Sequence, residues 1–353
     1  MKALLLTSPG ELSIAEVDDP VPAPDEALVR VAACGICGSD VHGFTGATGR
    51  RIPPLVMGHE AAGTVVAVGA GVCGLEVGAR VAIDSTVFCG ACARCAAGRE
   101  NLCSRRQVLG VSCGDYRRHG CFAEFVAVPR RCLHPLPPGL DFVTAALLEP
   151  LTIALQAATL GAAGPATRSA VVVGAGTIGL AAVAALVARG VRRVAAIDVV
   201  TARLDRARRM GAAEVFVADR PDVGRLAAAW ASATPDDDGA DLVIEAVGTS
   251  DSVATAVAAA GRGGTVVLVG NVSPTIELPL QAVVTRQVRL QGSCASAGSY
   301  PEAIRLAASG AVDLTGFVSA VAPLVEGPAW FGRLRRGEPG VVKVVLCPEG
   351  GFA

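Results

Sequence analysis

Hydrophobic residues change their spacing along the 353-residue chain near position 150. Before it, short runs such as "KALLLTS", "EALVRVAA", "AAGTVVAVG", "ARVAIDST" and "CFAEFVAVP" are each bounded by Gly, Pro or Asp. Such runs predict short strands of a β-rich, partly closed domain. From about 153 to 290, continuous apolar runs alternate with Ala-rich stretches of helical character. The runs "SAVVVGAG", "RRVAAIDV", "EVFVA", "DLVIEAVG", "GTVVLVG" and "QVRLQGS" predict six strands. Between them, "TIGLAAVAALVARG", "TARLDRARRMGA" and stretches around 222–233 and 250–260 predict helices. Strands apolar throughout suit a parallel sheet covered on both faces. After 292, "YPEAIRLAASGAV" predicts a helix and "GVVKVVLCP" a strand, too little for a further domain. The expected class is therefore α/β: a β-rich domain over 1–152 and 293–353, and a doubly wound parallel-sheet domain over 153–292.

Composition narrows the function. A formal net charge of −1 offers no electrostatic attraction to nucleic acid or an anionic membrane. No stretch reads as a bilayer span, and the apolar run in "MKALLLTSPG" is too short for a secretory leader. A cytoplasmic protein without nucleic-acid or membrane partners is expected. Twelve cysteines are many for such a chain, and clustered cysteines in that setting point to metal or catalysis before disulfides. Lysine occurs only at Lys2 and Lys343; arginine carries the remaining positive charge.

The turn after the first run of the second domain reads "VVVGAGTIGL", a Gly174-x-Gly176-x-x-Gly179 pattern between a strand and a helix, with Thr177 and Ile178 opening the helix. Glycine-rich turns are common, but here an apolar strand precedes, a helix follows, and Asp198 ends the next strand. Together these predict a dinucleotide site: glycines for the tight turn and close approach, helix amides for the pyrophosphate, and a carboxylate for the ribose hydroxyls. A carboxylate repels a 2′-phosphate, and Val199 and Val200 put no cation directly beside it. NAD is expected rather than NADP, with Arg203 a candidate for the adenosine ribose.

"CGACARCAAGRENLC" spaces Cys89, Cys92, Cys95 and Cys103 as C-x2-C-x2-C-x7-C, in a lobe over about 88–104. Four thiolates close a tetrahedral zinc shell and leave no position for substrate, so the metal expected here is structural. Disulfides, an iron–sulfur cluster or a nucleic-acid-binding zinc ribbon are the competing readings. Other ligand types gather in "CGICGSDVH", in "MGHEAAG" with His59 and Glu60, and in "ALLEPL", where Glu149 is a lone acid among apolar residues. A buried acid is costly unless paired or near a metal. One cysteine, one histidine and one or two glutamates suit a catalytic zinc with an open position.

"CGICGSDVH", "GHEAAGTVVAVG", the four-cysteine lobe, "LLEPL" and "VVVGAGTIG", in that order over about residues 2–347, resemble the medium-chain zinc-dependent alcohol dehydrogenase superfamily, specifically its sorbitol (polyol) dehydrogenase-like branch. The resemblance implies a GroES-like catalytic domain and a Rossmann cofactor domain, with two zinc ions per chain. It implies that Cys37, not Cys34, His59 and Glu60 are catalytic zinc ligands, with Glu149 ligating directly or through water. It further implies a proton path through Ser39 and His42, with Asp40 bracing the loop and Cys34 packing. Cofactor contacts are implied for Gly174, Gly176, Thr177, Ile178, Gly179, Asp198, Arg203, Val247, Val269, Gly270 and Ser293, with Lys343 at the pyrophosphate. The implied reaction transfers hydride between NAD and a secondary alcohol of a polyol, sugar or cyclitol, giving a ketone, in a homodimer or homotetramer. One departure stands out: Ala295 and Ser296 occupy positions where sorbitol-type relatives often carry Arg-Tyr. Threonine 3-dehydrogenase-like or butanediol dehydrogenase-like activity is the alternative, and a non-catalytic zinc or redox-sensing protein the alternative of another class.

Overall fold

A computed structural model of the chain describes residues 1–232 and 238–348. The end of the expected 222–233 helix and residues 349–353 of the expected first domain lie outside the described residues. Two compact units emerge, one of residues 1–149, 300–308 and the chain from Val318 on, the other of residues 150–299 and 309–317.

The first unit is built on a seven-stranded sheet. Its order is Leu133–Pro135, Arg80–Ile83, Glu60–Val68, Glu26–Gly35, Lys343–Cys347 and Val318–Pro323, with Phe125–Pro129 also paired to Glu26–Gly35. The pairings are antiparallel except between the last two strands of that order. Along Glu26–Gly35, Ala27, Val29 and Val31 are buried while Glu26, Leu28 and Arg30 are less so. That period of two sends one face into a core shared by Leu4, Leu55, Ile83, Leu109, Phe122 and Phe331. The helix Tyr300–Ala308 is tied to this unit by a buried tyrosine, whose hydroxyl donates to the Ile83 carbonyl at 2.8 Å. Its ring stacks on His134 with centroids 4.3 Å apart.

The second unit holds six strands, all paired in parallel. In order along the chain they are Ser169–Val173, Arg193–Asp198, Glu214–Val217, Ala240–Glu245, Ala260–Leu268 and Arg289–Gly292. Their spatial order is third, second, first, fourth, fifth, sixth, the doubly wound arrangement. Ser169–Val173 is buried at every position, as a central strand covered on both faces must be. The expected α/β class is the observed one. Residues 293–299 and 309–317 cluster with this unit; Arg206 helps to hold the latter by donating to the carbonyls of Gly316 and Phe317 at 3.2 and 3.3 Å. Among the described residues, no helix is long and apolar enough to cross a membrane.

Candidate active site

The strand order reverses beside the first strand of the second unit, and that switch point is where open α/β sheets bind ligands. Gly174 leaves the strand with φ +93°, a conformation that favours glycine. Gly179 faces it so closely that an added Cβ would lie 1.7 Å from the Gly174 carbonyl oxygen. The helix Thr177–Ala188 starts at Gly176 with no side-chain cap, so its first amides remain available to a phosphate. Asp198 is buried; its two oxygens accept the Ala175 and Val200 amides at 2.6 and 2.8 Å. It therefore braces the glycine turn and still retains acceptor capacity. Arg203 Nη1 stands 3.8 Å from the same carboxylate.

Glu245 was not anticipated. It ends the fourth strand fully buried, and its Oε1 accepts the amides of Val247 and Gly248, both at 2.8 Å. Its carbonyl accepts the amides of Val269 and Gly270 at 2.8 and 3.1 Å. One residue thus organises the backbone at three expected cofactor positions. The signal was present: an acid among apolar residues in "DLVIEAVG", the same cue that singled out Glu149. Ser293 is placed by its amide, which donates to the Leu268 carbonyl at 2.8 Å.

In the first unit, Cys37, His59 and Glu60 bring one ligand atom each within 4.8 Å of one another. Cys37 precedes the helix Gly38–Gly43, and Glu60 opens the strand Glu60–Val68, so a helix start and a strand start set the geometry. A thiol, an imidazole and a carboxylate converging here fit a zinc ion with an open fourth position. His59 and Glu60 are buried, whereas Cys37 is partly open. Burial alone lowers the His59 pKa, but the Asp40 and Cys37 charges outweigh it and hold it well above the usual value. Glu149 is not part of the three-residue group; its Oε1 accepts from Ser85 Oγ at 3.4 Å, and burial pushes its pKa up to about 7.

Ser39 and His42 are exposed on the Gly38–Gly43 helix, three residues apart and hence on one face. Cys34 is fully buried in the core, and burial pushes its thiol pKa far up, so it packs as a small apolar residue.

Lys343, expected at the pyrophosphate, is 1% exposed; its ammonium donates to both Glu60 oxygens at 2.8 and 2.6 Å and to the Ile36 carbonyl at 2.9 Å. The cause is topological: the strand it opens runs beside Glu26–Gly35 inside the sheet, and a lysine buried there needs a countercharge. Breaking such a pair from one side costs about 3–5 kcal/mol.

The four lobe cysteines also converge within 4.8 Å. Sulfur–sulfur distances of 3.6 Å (Cys92–Cys95) and 3.9 Å (Cys89–Cys95, Cys92–Cys103) match the spacing of about 3.8 Å that a tetrahedral ion with 2.3 Å bonds imposes. A cubane cluster, with each thiolate on a different iron, spaces them wider. None of the twelve cysteines is in a disulfide. Backbone amides of Ala91 and Cys92 point at Cys89 Sγ and lower its pKa to about 7; those of Cys95 and Ser104 lower Cys92 to about 5. Burial and its cysteine neighbours push Cys95 the other way, to about 12, so the donors favour thiolates at Cys89 and Cys92.

Comparison with known proteins agrees with this geometry. Residues 23–138 match the alcohol dehydrogenase GroES-like domain, and residues 177–309 match the zinc-binding dehydrogenase domain. Sorbitol dehydrogenase of Bacillus subtilis is 33% identical over 354 aligned residues, covering 99% of this chain and 98% of that one. The crystal structure of galactitol-1-phosphate dehydrogenase from Escherichia coli superposes with a TM-score of 0.89 at 27% identity, covering 99% of this chain and 100% of that one. An alcohol dehydrogenase of E. coli CFT073 solved with NADH gives a TM-score of 0.89 at 29% identity, covering 98% and 99%. The two matched domains and the near-full-length likeness to a sorbitol dehydrogenase place this chain in the zinc-dependent medium-chain alcohol dehydrogenase superfamily, as a member of its polyol dehydrogenase-like branch.

Proposed function

We propose that the protein transfers hydride between NAD and a secondary alcohol of a polyol, sugar or cyclitol, giving the ketone, with two zinc ions per chain. The observation that carries this reading is the convergence of Cys37, His59 and Glu60 beside an exposed Ser39–His42 face. Those three residues would hold the catalytic ion, with Glu149 close enough to influence it, and the four lobe cysteines the structural one. When bound, the catalytic zinc is a Lewis acid that lowers the pKa of an alcohol, as it does that of water. Ser39 Oγ would take up the hydroxyl proton while giving its own on, and His42 would pass that proton to solvent, both being on the accessible face of their helix. In the second unit, the Gly176 helix start would hold the pyrophosphate, Asp198 would accept from the ribose, and the amide-braced backbone at Val247, Val269, Gly270 and Ser293 would hold the nicotinamide end.

A sorbitol dehydrogenase and a galactitol-1-phosphate dehydrogenase among the relatives support a polyol-type substrate. The loop after the sixth strand favours a second reading. Ala295, at φ +50°, and buried Ser296 offer no long polar side chain there. A secondary alcohol with fewer hydroxyls to be bound, threonine or butanediol, suits such a loop. The absence of disulfides among the described residues suits a reducing, cytoplasmic compartment. Self-association into a dimer or tetramer is supported by the edge position of Arg289–Gly292 and by Val272, Leu280 and Val284, which are 57%, 61% and 68% exposed.

A panel of polyols, aminocyclitols, threonine and butanediol, scored by NADH and NADPH formation, tests the reading. Turnover with a polyol or cyclitol and NAD is expected; turnover confined to threonine or butanediol supports the second reading, and none with any alcohol overturns both. On the best substrate, Asp198→Ala should raise the KM for NAD about tenfold or more, since hydrogen bonds to a charged group are worth about 1.5–3 kcal/mol. A wild-type preference for NADP would contradict the cofactor assignment.

A further inference from the structure

Arg51 has no role in the chemistry described so far, yet it is 5% exposed, and a buried guanidinium needs strong local compensation. Its Nη2 donates to Asp40 Oδ1 at 3.0 Å and lies 3.5 Å from Ser39 Oγ, while Nη1 donates to the Arg50 carbonyl at 3.1 Å. Asp40 is completely buried. The same Oδ1 faces His59 Nδ1 at 3.4 Å, and Oδ2 accepts the Cys37 amide at 3.3 Å. One carboxylate therefore touches two candidate zinc ligands, and Arg51 is the cation that holds it. Around Arg51 the chain is pinned: the Ile52 amide donates to the Ser112 carbonyl at 3.1 Å, and the Ser112 amide to the Arg50 carbonyl at 3.2 Å. Gly43, closing the Ser39–His42 helix, leaves the necessary room; a Cβ there would come within 2.6 Å of Arg51 Cγ.

We propose that Arg51 is a positioning residue for the candidate zinc site, acting through Asp40 on His59 and Cys37 and directly beside Ser39; this rests on the zinc reading above. A buried carboxylate has few stable orientations, and each depends on its donors. With Arg51 in place, Asp40 presents one oxygen to the imidazole and the other to the Cys37 amide. Without it, the carboxylate turns or draws in water, and the ring loses a fixed neighbour. Groups that orient a ligand from behind it in this way govern how tightly a metal is held. Lysine supplies the charge but not the planar fork, so it replaces Arg51 only in part.

The test uses the full-length protein with both sites loaded, and with cobalt exchanged into the catalytic site for its visible spectrum. In Arg51→Met, release of one of the two metal ions to a chelator should be about 10–100-fold faster. The cobalt bands should shift, the four-cysteine ion should be retained, and kcat should fall with little change in the KM for NAD. Arg51→Lys should recover part of each effect. Gly43→Ala, which crowds Arg51 without removing it, should move release and spectrum in the same direction and keeps the test decisive should Arg51→Met fail to fold. Folded variants with wild-type release rates and an unshifted spectrum, even if less heat-stable, overturn the proposal and leave the zinc reading intact. A wild-type protein that takes up no metal outside the four-cysteine lobe overturns the zinc reading itself, and the proposal with it.

Discussion

Cys37→Ser is expected to reduce alcohol oxidation by about a thousandfold or more while leaving NADH binding close to wild type. A Lewis acid supplies several kcal/mol of transition-state stabilisation, and each 1.36 kcal/mol is a tenfold change in rate. A serine hydroxyl is a far poorer zinc donor than a thiolate, and His59 and Glu60 alone cannot complete the three-ligand shell. Glu60 is also committed to Lys343 through both oxygens, which weakens any compensation from that side. The cofactor elements are unaffected, because Gly174, Asp198 and Glu245 all belong to the other unit. Steady-state rates and NADH fluorescence titration, read together, check this. Unchanged turnover would remove Cys37 from the ligand set, and a joint loss of turnover and NADH binding would mark a folding defect instead.

The second large effect concerns the lobe. Cys92→Ala should lower the metal content from two ions per chain to one. It should also cut the melting temperature by on the order of 10 °C, since structural zinc sites hold several kcal/mol of folding free energy. The lobe has little else to hold it: Ala93–Ala96 is a four-residue helix with no buried residue, and Glu100–Leu102 is a single tight turn. Cleavage by a protease between about 88 and 104 should become fast in the variant. Elemental analysis, thermal melting and limited proteolysis measure these three outcomes. A variant that keeps two ions and its melting temperature would show that the thiolates do not share a metal.

Much of this was legible in the amino-acid order. The parallel sheet was readable because its central strands are mostly continuous apolar runs, and the turn at 174–179 because of its glycine spacing between a strand and a helix. The lobe was readable because its four ligands fall within fifteen residues. The candidate zinc group is harder to read: Cys37 and the His59–Glu60 pair come from separate elements brought together by strand pairing. Family likeness, not spacing, selected Cys37 over Cys34. Lys343 opens an apolar strand and reads as an exposed end; only the sheet order shows it beside Glu60. Arg51 gave no signal in "GRRIPPL", where a double arginine between Gly and Pro reads as a solvated loop. Its burial follows from contacts with Asp40, eleven residues away, and with the Ser112 segment.

The most direct test of the central claim is NADH formation from a polyol panel by protein stripped of metal and then given zinc back. Turnover that disappears with the metal and returns with zinc, in proportion to the ion bound outside the four-cysteine lobe, is the predicted result. Full turnover by protein that holds no metal outside that lobe would contradict it.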